Sequence, residues 1–186
     1  MKAMKFLIVC AALVSLQASA QQPTAGAAAG DDAANRAQAL EGGRISPRQR
    51  AELEKAALAE RNEQAGKSFL AANKARPGVT TLASGVQYKV ITAGNGKRPG
   101  ATSTVLCRYK GTLTDGSAFD KSDDTTPSQL NVAGLVPGLR EAIQRMPAGS
   151  KWEVVVPPQL GYGARGREGV GSNAVLIYVV DLIAVS

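Results

Sequence analysis

Five glycines crowd the sixteen residues from 157 to 172, and Gly161, Gly163 and Gly166 have the GxGxxG spacing with which backbone amides cradle a pyrophosphate. That chemistry needs a strand running straight into the first glycine and a helix opening at the last. Here Pro157 and Pro158 stand in front of the motif, and Gly169 and Gly171 follow it with no helical pattern. The context therefore argues against a dinucleotide site. Nucleophilic and metal chemistry are poorly supplied as well. The chain has no histidine, which removes Ser-His-Asp and Cys-His catalysis and nearly every common zinc site. Cys107 follows Val105 and Leu106 in a strand-like run, so it reads as a buried, inert thiol. The glycine-rich segment still asks for a purpose, because a loop that long between two strands is usually functional.

The elements that would position such a loop are legible on either side of it. Residues 86–92 and 104–113 read as strands, the first ended by Gly94-Asn95-Gly96 and the second by the hairpin signal Asp115-Gly116. Leu139, Ile143 and Met146 recur at helical spacing within residues 138–146. Residues 151–156 read as a further strand, and residues 175–185 are apolar on both faces, as a central strand covered on both sides would be. Several strands and one short helix predict an α+β domain with room for a single core.

The first 76 residues have a different character. Lys2 and Lys5, an almost unbroken apolar run over residues 6–16, and Ala18-Ser19-Ala20 predict a secretory signal at 1–20 with a mature start at Gln21. The apolar run falls well short of the roughly 20 residues a membrane span needs. Residues 21–45, rich in Ala, Gly and Gln, predict a disordered linker. Ser46-Pro47 is an N-cap followed by proline at the first helical position, and good helix formers continue to about Lys74. This helical extension, 46–76, shows only a thin apolar stripe of Leu53, Ala57, Phe69 and Ala72, which predicts a mostly solvated helix or one awaiting a partner. Arg76-Pro77-Gly78 ends it. Removing Lys2 and Lys5 from a formal charge of +7 leaves +5. That excess is spread with no clustered basic face, so nucleic acid is not an expected partner.

Over residues 77–186, short motifs resemble the FKBP family of prolyl isomerases in order and spacing. They are Tyr109-Lys110-Gly111 with Asp115-Gly116, Phe119-Asp120, Leu135-Val136-Pro137-Gly138-Leu139, Met146-Pro147-Ala148-Gly149-Ser150-Lys151-Trp152-Glu153, Leu160-Gly161-Tyr162-Gly163, Leu176-Ile177 and Asp181-Leu182. The run from Phe69 through Asn73 to Ser84-Gly85-Val86-Gln87-Tyr88 is similar to the exported bacterial branch that includes the macrophage infectivity potentiators.

The resemblance implies a five-stranded antiparallel sheet curled around one short helix, with an apolar pocket between them. It places Tyr109, Phe119, Leu135, Val136, Leu139, Tyr162, Val170 and Tyr178 in the pocket and Asp120 at its rim. Phe119, Asp120 and Tyr162 are the catalytic candidates, with Tyr162 offering its hydroxyl to a substrate carbonyl. It implies a peptidyl-prolyl isomerase without cofactor or metal, acting on proline-containing exported chains in the periplasm or near the outer membrane. Macrolides such as rapamycin are expected ligands, and a homodimer through the N-terminal helix is an expected assembly. Two positions depart from the family. Leu139 replaces the usual floor tryptophan and Tyr178 the usual phenylalanine, which predicts weaker catalysis and macrolide binding. The alternative from another class is a chaperone or proline-peptide-binding module on the same fold with little catalysis.

Overall fold

The computed structural model describes residues 46–123 and 125–186. The expected signal at 1–20 and linker at 21–45 lie outside them. Helix α1 (Pro47–Lys74) opens on a reciprocal cap. The Gln49 amide donates to the Ser46 hydroxyl at 3.2 Å, and the Ser46 amide donates to Gln49 Oε1 at 2.9 Å. The helix stops before Pro77, and Gly78 takes the turn at φ +80°.

Seven strands follow: β1 (Val79–Thr81), β2 (Gln87–Thr92), β3 (Thr104–Thr112), β4 (Ala118–Lys121), β5 (Ser128–Asn131), β6 (Ser150–Val156) and β7 (Leu176–Val185). They form one sheet in the order β1-β2-β6-β7-β3-β4, every pairing antiparallel, with β5 also on β3. The expected count of five is corrected to seven, for two reasons. The outer partner of β3 is broken in two: β4 pairs with residues 110–112 and β5 with residues 104–107. A three-residue edge piece, β1, is added beside β2. The five expected positions are otherwise present as β2, β6, β7, β3 and the interrupted β4/β5.

Helix α2 (Pro137–Ile143) lies across one face of this sheet. It buries Leu139, Ala142 and Ile143 against Val86, Val154, Val156, Tyr178 and Leu182. Its close approach depends on Gly138, where an added Cβ would lie 2.5 Å from Val156 Cγ1. Strand β7 is central, as its apolar run predicted. Its two faces are not equally covered, because Ile177, Val179 and Asp181 are only half-buried while Leu176, Tyr178, Val180 and Leu182 are buried. Cys107 is fully buried, and burial with help from Asp181 pushes its thiol up to about 11, which keeps it protonated and unreactive.

The first three turns of α1 are exposed, but its second half docks onto the domain. The docking face is Ala59, Asn62, Gly66, Phe69, Leu70 and Asn73, and not the expected stripe, of which only Phe69 turns inward. Asn62 Nδ2 donates to the Ser172 carbonyl at 2.8 Å, and the buried Asn73 amide donates to Gln87 Oε1 at 2.7 Å. Gly66 sits so close to Val175 that a Cβ would meet its Cγ2 at 2.8 Å. Small and polar contacts of this kind escape a hydrophobic-period reading.

A fragment of residues 77–186 keeps the sheet and α2, and is expected to melt cooperatively. Its midpoint should fall by roughly 5–10 °C, since 1 kcal/mol shifts a domain of this size by about 4–8 °C. Thermal denaturation of the fragment beside the full chain checks this. A non-cooperative fragment would make α1 part of the core.

Candidate functional site

The pocket residues arrive from six places in the chain. Tyr109 projects from β3 and Phe119 and Asp120 from β4, which the Asp115-Gly116 hairpin folds back onto β3 with Gly116 at φ +85°. Leu135 and Val136 precede α2, and their turn is clamped by Arg140, whose Nη2 donates to the carbonyls of Ala133 at 2.9 Å and Leu135 at 3.0 Å. Leu139 comes from α2, Tyr162 and Val170 from the loop between β6 and β7, and Tyr178 from β7.

One apolar cluster unites them. Leu139, Val170 and Tyr178 belong to the buried core, each 3 or 4% exposed, while Tyr109, Phe119, Leu135, Val136 and Tyr162 are half-buried against it. The Phe119 ring packs over Gly111, where an added Cβ would meet its Cζ at 2.7 Å, and meets Tyr178 edge-on at 5.6 Å between centroids. Leu139 is 4% exposed, so a larger ring in its place is expected to carry an overpacking cost.

The polar groups lie around this wall. Tyr109 donates its hydroxyl to Asp120 Oδ1 at 3.2 Å, and burial, then the Asp120 charge and that hydrogen bond, push the phenol up to about 12. Tyr178 is pushed further, first by burial and then by the neighbouring Tyr162 and Asp120.

One residue at the site had no signal in the sequence. The Arg167 guanidinium lies 5.0 Å from the Tyr162 ring centroid and 5.7 Å from that of Phe119, with Nη2 3.8 Å from Asp120 Oδ2. The loop also borders a groove of about 420 Å³ against α1, lined by Gly66, Leu70, Pro158, Gly163 and Asn173 among others.

An antiparallel sheet with one short helix on it, and aromatic side chains gathered beside an aspartate, fit a prolyl-isomerase class of architecture. The comparisons agree with that class. Residues 95–183 match the family model for FKBP-type peptidyl-prolyl cis-trans isomerases, and residues 11–90 match that of the domain amino-terminal to it. The chain belongs to the FKBP-type peptidyl-prolyl cis-trans isomerase family. The outer membrane protein MIP of Legionella longbeachae is 48% identical over 129 residues, covering 68% of this chain and 55% of that protein. The crystal structure of FkpA from Escherichia coli superposes with a TM-score of 0.71 at 31% identity, covering 86% of this chain and 74% of that one. A peptidyl-prolyl cis-trans isomerase from Pseudomonas syringae pv. tomato gives 0.65 at 35% identity, covering 77% and 99%. The chain spans about half the length of the curated relatives it matches.

Proposed function

We propose that this protein is a peptidyl-prolyl cis-trans isomerase that twists X-Pro bonds in exported polypeptides. What supports this is Phe119 packed edge-on against Tyr178, with Tyr162 and Val136 against the same core and Asp120 bonded to Tyr109. Rotating an X-Pro amide meets a barrier of roughly 18–20 kcal/mol because resonance is lost. The twisted amide has less charge separation than the planar one, so a dry apolar wall binds it preferentially. No covalent bond forms, and a chain without histidine is sufficient.

Tyr162 is the proposed carbonyl donor. Asp120 holds the Tyr109 end of the wall and faces the twisting amide. Macrolides such as rapamycin would use the same wall. The Lys2, Lys5 and Ala18-Ser19-Ala20 pattern and the name of the Legionella relative support a proposed periplasmic location near the outer membrane. Among the described residues no helix is long and apolar enough to cross a membrane. The exposed first turns of α1, with Leu53 58% exposed, are the proposed surface for homodimerisation or client reach.

Proline-limited refolding with and without rapamycin tests the activity, and Tyr162→Phe tests the donor. That variant removes one neutral hydrogen bond, typically about 0.5–1.5 kcal/mol. It should slow turnover by about three- to tenfold. No acceleration of refolding by the full chain would favour a binding module with little catalysis.

A further inference from the structure

The loop between β6 and β7 ends in a tight turn that folds Arg167 back over the pocket. The Arg167 and Val170 backbones exchange two hydrogen bonds, each 2.9 Å, between Gly166 at φ +64° and Gly169 at φ +74°. Val170 is 3% exposed and anchors the turn, and Gly166 has no room for a side chain, since a Cβ would lie 2.6 Å from the Val170 carbonyl oxygen. The arginine stem is thereby aimed across the Phe119 and Tyr162 rings, whose faces hold a cation at this range.

The guanidinium is held from one corner only. Its Nη2 makes both polar contacts, 3.4 Å to the Phe119 carbonyl and 3.8 Å to Asp120 Oδ2. Nε and Nη1 have no partner among the described residues, and the side chain is 39% exposed. A guanidinium has five donors suited to a planar carboxylate, and those on Nε and Nη1 are left unused. Asp120 balances the charge without occupying those donors.

We propose that Arg167 is a specificity-determining residue that recognises a carboxylate side chain beside the substrate proline. This rests on the isomerase reading above. The wild type favours Glu-Pro over Lys-Pro substrates, and the preference comes from one charge at the mouth. Removing that charge leaves Asp120 uncompensated, so the change in preference has a fixed sign.

The test is kcat/KM on three tetrapeptides that differ only in Glu, Leu or Lys before proline. Wild type, Arg167→Gln and Arg167→Lys are compared at low salt and at about 0.5 M NaCl, where the Debye length is only a few Å. The expected result is a wild-type Glu/Lys ratio of about five or more at low salt, collapsing at high salt. Arg167→Gln should bring the ratio to one or below, and Arg167→Lys should retain a preference. A wild-type ratio near one at low salt overturns the proposal without using any variant, and an unchanged ratio in folded Arg167→Gln overturns it as well. Leu-Pro turnover reports separately on the isomerase reading: if it is absent, that reading fails and the specificity with it, whereas turnover without charge preference sinks only the role of Arg167.

Discussion

Phe119→Ala is expected to lower kcat/KM on a Leu-Pro peptide by about 10²-fold, the largest loss of any single substitution in the pocket. The ring is half-buried, covers Gly111 and meets Tyr178 edge-on at 5.6 Å. It is thus a preformed wall that the substrate completes. Roughly 60–80 Å² of ring covered by substrate is worth about 2 kcal/mol at about 25 cal/mol per Å². An aromatic contact adds about 0.5–1.5 kcal/mol, and about 2.7 kcal/mol corresponds to 10²-fold. Removing the ring also opens the site to water, which weakens its preference for the less polar twisted amide. Asp120→Asn keeps the wall and should cost less. The measurement is turnover beside a thermal melt, because Phe119 also supports the fold. A folded variant within threefold of wild type would show that the ring is packing alone.

What the sequence discloses of this site and what it hides have separable causes. Strands β2, β3, β6 and β7 are long enough to carry their own pattern, and their observed ends fall within a residue of the expected ones. Strands β1, β4 and β5 have three or four residues each and exist because β2 or β3 offers a free edge. Ala118-Phe119-Asp120-Lys121 carries no period that local reading could use. The docked face of α1 was hidden for another reason, being built from Asn62, Gly66 and Asn73, which hydropathy does not weight. The pocket residues are named by family resemblance; in the fold Tyr109 bonds Asp120 and Phe119 meets Tyr178, while Leu135, Val136, Leu139, Tyr162 and Val170 share the wider core with them. Arg167 was not among them, because its position depends on a backfolded turn and on rings contributed by two other segments.

Gly138→Val is expected to destabilise the fold by about 3 kcal/mol or more, and Gly138→Ala by roughly 1–2 kcal/mol. Helix propensity alone predicts the opposite for alanine, which gains about 1 kcal/mol over glycine in a helix interior. Packing decides the sign. A Cβ at 138 would lie 2.5 Å from Val156 Cγ1 and 3.2 Å from both Leu160 Cβ and Val86 Cγ2. Val86 and Val156 are fully buried, so neither can swing into solvent. Overpacking of this kind costs about 1–3 kcal/mol or more, enough to exceed the propensity gain for alanine. Valine adds two methyls and a β-branched penalty. Relief requires α2 to rise from the sheet, which carries Leu139 and Val136 with it and loosens the pocket base. Gly134→Ala is the control, since nothing lies within 4 Å of its added Cβ. Chemical denaturation of the three variants gives the ordering, and turnover should fall in step with it. If Gly138→Ala is as stable as wild type, the helix has slack against Val156 and the pocket base is not set by this contact.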